Sequence, residues 1–132
     1  MNYYFKATLN TSFDDAMAIT AEALKTEGFG VLTEIDMQAR LKEKVGVDFK
    51  KYKILGACNP SFAYKALQTE DLIGIMLPCN VVVTEQGENQ IDVAIVEPLT
   101  AMMAVENAQL MPIAKEVTDK LQRVIEQLQN RN

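Results

Sequence analysis

Two cysteines, Cys58 and Cys79, are the side chains of this 132-residue sequence whose reactivity their surroundings could tune near neutral pH, because the chain contains no His. The absence of His removes Ser-His-Asp and Cys-His triads, His-ligated metals and imidazole acid–base chemistry. Thiols, carboxylates, lysines and thioethers remain. Cys58 closes the strand-like run Lys51–Cys58 and directly precedes Asn59-Pro60. That pair is a helix start, with Asn as N-cap and Pro at the first helical position, where its missing N–H costs nothing. Unpaired N–H groups and the positive end of a helix dipole at this corner would stabilise a thiolate or receive an anion. Cys58 reads equally well as a small buried residue in a tight corner beside Gly56 and Ala57. Cys79 lies in Leu77-Pro78-Cys79-Asn80. Alternation groups it with Ile73, Ile75, Leu77, Val81 and Val83 as core, although a bulge at Pro78 would re-aim it.

The two cysteines are too far apart in sequence for a C-x-x-C motif, so the fold must bring them together. Gln86–Asn89 reads as the turn of a hairpin whose register places Cys79 near Val96 and Glu97. Just beyond lies Ala101-Met102-Met103. If Cys58 ends at the same side of the sheet, the cluster holds two thiols, one or two thioethers, Asn59, Asn80 and Glu97. Such soft sulfur ligands select Cu(I) or Zn over Mg or Ca, which makes Cys58 and Cys79 the metal candidates. Met102 and Met103 also fit as core filling. Glu34 follows an apolar strand and could act as a general base, or simply face solvent. No Walker A or G-x-G-x-x-G sequence is present, and Gly28-Phe29-Gly30 fits a helix end better than a phosphate loop.

The elements that must position these residues follow from periodicity. Asn2–Leu9 reads as a strand. Thr11 and Ser12 offer caps to a helix with Phe13, Ala16, Met17, Ala21 and Leu24 on one stripe, ended by Gly28. Phe29–Ile35 is a second strand, and Asp36 caps a short helix from Met37 to Val45 with Met37, Leu41 and Val45 on one side. In the third strand, Lys51–Cys58, Tyr52, Ile54, Gly56 and Cys58 share a face. The helix from Asn59-Pro60 runs to Thr69 and buries Ala63, Ala66 and Leu67. Leu72–Glu85 reads as a fourth strand broken at Pro78, and Gln90–Val96 returns as its hairpin partner, ended by Pro98. Ala101–Val105 forms one helical turn. The last helix carries a continuous stripe from Leu110 to Leu128, with Glu116/Lys120 and Asp119/Arg123 spaced as i,i+4 pairs. The expectation is a single α+β domain spanning residues 1–132. It has two layers, with a mostly antiparallel sheet and helices packed on one face.

Charge bounds the partners. With 13 Lys+Arg against 18 Asp+Glu the net charge is −5, which disfavours nucleic acid or anionic lipid as a whole-surface partner. Arg40–Lys53 is a local exception: six basic residues against Glu43 and Asp48, a solvated face or a small anion patch. No signal-peptide pattern and no apolar run of membrane-spanning length is present. Both observations point to the cytoplasm, where the thiols would stay reduced.

Gly28–Asp36 (GFGVLTEID), Asp48–Pro60 (DFKKYKILGACNP), Ala63–Leu67 (AYKAL) and Ile73–Val83 (IGIMLPCNVVV), with Glu97-Pro98 and Ala101-Met102-Met103, resemble the bacterial and archaeal domain of unknown function 302 family over essentially the whole chain. The resemblance implies a β-α-β(4)-α fold of the TATA-binding-protein-like group, plus short extra helices, and a homodimer. It implies no reaction and no cofactor, and fold likeness alone implies no DNA binding. It carries over Cys58, Asn59, Pro60, Cys79 and Asn80, together with Glu34, Asp36 and Met102. The family's usual Asp before the proline is Glu97 here. Three readings follow: a module binding a small ligand, soft metal or redox partner at Cys58 and Cys79; a thiol enzyme using Cys58 with a carboxylate base such as Glu34; and a non-catalytic dimerisation or interaction domain.

Overall fold

The computed structural model describes residues 2–131, so the two terminal positions of the expected 1–132 domain lie outside the described residues. The chain runs β1 (Tyr4–Leu9), α1 (Phe13–Thr26), β2 (Gly30–Asp36), α2 (Met37–Val45), β3 (Tyr52–Cys58), α3 (Pro60–Thr69), β4 (Cys79–Gly87), β5 (Gln90–Val96), α4 (Pro98–Met102) and α5 (Met111–Gln129). The five strands form one sheet in the order β1-β5-β4-β3-β2, with every neighbouring pair antiparallel. This is the expected α+β fold. Because all neighbours are antiparallel, one face can be packed and the other left open.

The packed face is built by alternation. Ala7 and Leu9 of β1, Leu55 and Ala57 of β3, Val81 and Val83 of β4, and Ile91, Val93 and Ile95 of β5 are buried in one core with residues of α1 and α5. Each buried Val, Ile or Leu contributes about 1.5–3 kcal/mol, so β4 and β5, buried at every second residue, anchor the sheet. In β3 the face shared by Tyr52, Ile54, Gly56 and Cys58 is the opposite one; Leu55 and Ala57 point into the core.

The helices start where their caps lie. The Ser12 Oγ accepts from the Asp15 N–H at 3.1 Å, and the Asp36 carboxylate accepts from the Ala39 N–H at 3.0 Å. In α1 the buried positions include Thr20 and Ala23, while Ala21 is exposed. The α2 stripe buries nothing. In α3 only Ala66 is buried, and Leu67, expected inside, is exposed. The α5 stripe is buried as its sequence indicates. Its Arg123 bridges across to Glu27 of the α1 end at 3.0 Å, and Lys115, not Glu116, makes the i,i+4 pair, with Asp119.

The largest departure concerns Leu72–Glu85. Asp71–Met76 is a 3-10 helix, and the strand begins only at Cys79. The register supplies the reason: Ala57 pairs with Cys79 and Cys58 ends β3, so residues before Cys79 have no strand beside them in β3. Ile73 is buried, but Ile75, expected in the core with it, is 81% exposed. The hairpin pairs Val81 with Ile95, so Cys79, two residues earlier, runs toward Glu97 as expected. Pro98 does more than end β5. It opens α4, with Glu97 as the N-cap.

Candidate functional site

Cys58 ends β3 opposite Gly30 of edge strand β2, and Cys79 begins β4 opposite Ala57. Adjacent strand ends therefore bring the two cysteines to one corner of the sheet, near enough for Cys58 to act on Cys79 electrostatically. Both line a small pocket with Phe29, Phe62, Leu77 and Met102. Its walls come from the end of α1 (through Phe29), the first turn of α3, the segment leading into β4, and α4 with the start of α5. The pocket holds about 30 Å³, room for about two waters at most. Cys79 and Met102 are buried and Cys58 is half-buried.

Glycines and a proline make this corner tight. A Cβ on Gly56 would collide with the Thr33 hydroxyl and lie 2.6 Å from Pro78 Cγ, so Gly56 allows Pro78 to close over β3. Gly28, at φ +85°, takes the left-handed conformation that ends α1, and a Cβ there would meet Asn59 Nδ2 at 2.9 Å. The Asn59 amide donates to the Glu27 carbonyl at 3.3 Å, stapling the start of α3 to the end of α1. Asn59 is the N-cap residue but its side chain makes no cap hydrogen bond, because its amide faces α1 instead. Pro60 occupies the first helical position, as expected.

Burial, and then the nearby charge of Cys58, push the Cys79 thiol up to about 11. Cys79 is thus a neutral thiol at ordinary pH, unless a cation displaces its proton. Among the described residues no group of three or more Cys, Asp and Glu is placed to hold a metal ion. A closed tetrahedral zinc site needs four such ligands; the sulfur-bearing residues that line the pocket are Cys58, Cys79 and Met102.

The other candidates lie elsewhere. Glu34 pairs with Leu55 in the middle of β2 and accepts a hydrogen bond from Lys53 Nζ at 2.9 Å, whose ammonium it holds above its ordinary pKa, mainly through that bond. It does not line the cysteine pocket. Asp36 caps α2. Asn80 points to the open face of the sheet, where with Tyr3, Tyr4, Val82, Ala94 and Val96 it lines a concavity of about 400 Å³. Glu97 is a structural hub: its carboxylate accepts from the N–H groups of Leu99 (3.1 Å) and Thr100 (2.9 Å) and from the hydroxyls of Thr100 and Thr118. Burial raises its pKa, but these bonds together hold it below the usual value. Met103, second of the Met pair, is exposed.

The aromatic and aliphatic walls, Phe29, Phe62, Leu77 and Ile113, were not foreseen as site residues. Phe62 stands one residue before Ala63, in the first turn of α3, and so was signalled by the same cap that singled out Cys58. Ile113 belonged to a stripe that reads as ordinary core. No described helix is long and apolar enough to cross a membrane.

Comparison with known proteins places these features in a wider setting. The sequence profile of the family described as "Domain of unknown function DUF302" matches residues 5–128. A solved structure, the crystal structure of uncharacterized conserved protein DUF302 from Bacillus stearothermophilus, superposes with a TM-score of 0.89 at 27% identity, covering 97% of this chain and 99% of that one. Comparison with curated proteins finds no match.

Proposed function

The chain belongs to the DUF302 family, whose description names no activity, and from that premise we propose that it is a non-catalytic binding module whose Cys58–Cys79 pocket takes a soft monovalent cation, Cu(I) being the closest chemical fit. The observation that carries this reading is that Cys58, Cys79 and Met102 all line one apolar pocket of about 30 Å³. Sites for organic ligands measure roughly 300–1,000 Å³, so volume favours an ion over a small organic molecule. Sulfur-only donors suit Cu(I), and a coordinating thiol is deprotonated, its proton passing to solvent as the thiolate binds the metal. That answers the high pKa of Cys79. The first turn of α3 adds a favourable dipole for the thiolate pair. A thiol enzyme is less well supported, because Glu34, the base it would use, is bound to Lys53 away from the pocket. A reducing, cytoplasmic setting would keep both thiols free.

Anaerobic titration with Cu(I) against a chromophoric Cu(I) chelator tests the proposal. The expected result is one Cu(I) per chain, with at least a hundredfold weaker binding in Cys58→Ser or Cys79→Ser and about tenfold weaker binding in Met102→Leu. Equal binding by wild type and the double Cys→Ser variant would sink it, as would oxidative closure of a Cys58–Cys79 disulfide in place of metal uptake.

A second reading concerns assembly. The open sheet face presents Tyr3, Tyr4, Val82, Ala94 and Val96 around its concavity, and self-association through this face would cover it. Sedimentation velocity should then show a homodimer that Val82→Glu dissociates; a monomer, or a dimer indifferent to this change, would exclude the face.

A further inference from the structure

We propose that the groove between the 3-10 helix Asp71–Met76 and the 3-10 turn Met103–Val105 is a docking site for a basic amphipathic helix of another protein. Ile73 forms the floor, Leu72, Ile75, Met76 and Val105 the walls, and Glu70 the end of a groove of about 190 Å³. Leu72 is 69%, Ile75 81% and Met103 57% exposed. Tyr64 and Leu67 on α3, which packs against this segment, are also exposed. So dense a run of large exposed apolar side chains marks an interaction surface, and methionines at its edge let it adapt to a partner. The volume suits one or two anchoring side chains, as when a helix lays its apolar stripe into a groove, and is small for an organic ligand.

Charge decides the kind of partner. The segments that form the groove, residues 70–76 and 103–106, carry Glu70, Asp71 and Glu106 and no Lys or Arg. Glu70, Asp71 and Glu106 flank the groove itself. An acidic rim repels anionic lipid and attracts Lys or Arg beside the anchors. The occupant is therefore a helix with Leu-like residues at i, i+3, i+4 and i+7 and basic residues on its flanks.

The test uses the full chain and an 18-residue amidated peptide of Leu and Lys in that pattern, with one Trp on the apolar face. The chain has no Trp, so peptide emission reports binding without background. The expected result is a saturable blue shift that weakens with salt, with affinity at least tenfold lower for Leu72→Glu or Ile75→Glu and for an equally charged Ala/Lys peptide against wild type. Both substituted positions are exposed, so circular dichroism should show these variants folded. Three results would overturn the proposal: affinity unchanged in both variants, equal binding of the Ala/Lys peptide, or a wild-type dimer that Ile75→Glu dissociates, which would make a second copy the occupant. Copper binding at Cys58 and Cys79 is read separately and can fail or hold independently.

Discussion

Raising the pH should loosen this fold through one thiol. Cys79 is 7% exposed, and its pKa rises from 9.0 to about 11, first by burial and then by the proximity of Cys58. In the unfolded chain the thiol releases its proton first. Stability from the buried neutral thiol is therefore complete below about pH 9 and is lost as pH rises toward 11. One pKa unit corresponds to about 1.4 kcal/mol, so the loss is about 3 kcal/mol. With a urea m-value of about 1–3 kcal/mol/M, the unfolding midpoint should fall by roughly 1–3 M. Other groups also titrate in this range, so the informative quantity is the difference between wild type and Cys79→Ala, measured by urea denaturation under reducing conditions from pH 8 to 11. The wild-type midpoint should descend more steeply than that of Cys79→Ala. A Cys58→Ala variant should show a smaller descent than wild type, because it lacks the second cause of the shift. Parallel curves for wild type and Cys79→Ala would refute the burial argument and, with it, the placement of Cys79 in an apolar pocket.

Further outcomes follow from single contacts. Thr20 is fully buried and its hydroxyl has no hydrogen-bond partner among the described residues, so Thr20→Val should stabilise the protein by about 1 kcal/mol in thermal or urea unfolding. Gly56→Ala drives a methyl into Thr33 and Pro78 and should destabilise by roughly 1–3 kcal/mol, with a lower thermal midpoint as the readout. Glu97→Ala removes the cap of α4 and the bond to Thr118, and should cost about 1–2 kcal/mol. Because the folded state holds Glu97 below its ordinary pKa, its stabilisation is present above pH 4.5 and fades as pH falls through the lowered value. The gap between wild type and Glu97→Gln should therefore narrow in acid.

Much of this was legible in the sequence because local signals and tertiary packing agree. Ser12, Asp36 and Pro60 mark helix starts, Gly28 and Gly46 mark ends, and the α5 stripe and the β4–β5 alternation are buried in the structure. Hairpin register anticipates Cys79 beside Met102, whereas the place of Cys58 depends on β3 pairing with β4, which the hairpin alone does not fix. Disagreement arose where the partner of a segment decides its state. Residues 72–77 have strand-like composition but no strand beside them, and they curl into a 3-10 helix. The pattern of α2 is amphipathic, yet β3 covers it only in part: none of its residues is buried and Val45 remains 66% exposed. Asn80, joined to Cys79 in sequence, faces the other side of the sheet because neighbouring residues of a strand point to opposite faces. Glu97-Pro98 carries the same cap-then-proline signature as Asn59-Pro60, but beside a strand end it reads first as a stop.

On the function proposed above, Cys58, Cys79 and Met102 form one sulfur pocket for a soft cation. Copper K-edge X-ray absorption on the anaerobically Cu(I)-loaded protein tests it most directly. The expected result is one tightly held copper in a first shell of sulfur alone, two thiolates with the Met102 thioether, and loss of the thioether contribution in Met102→Leu. A shell dominated by nitrogen or oxygen, or no copper retained after desalting, would contradict it.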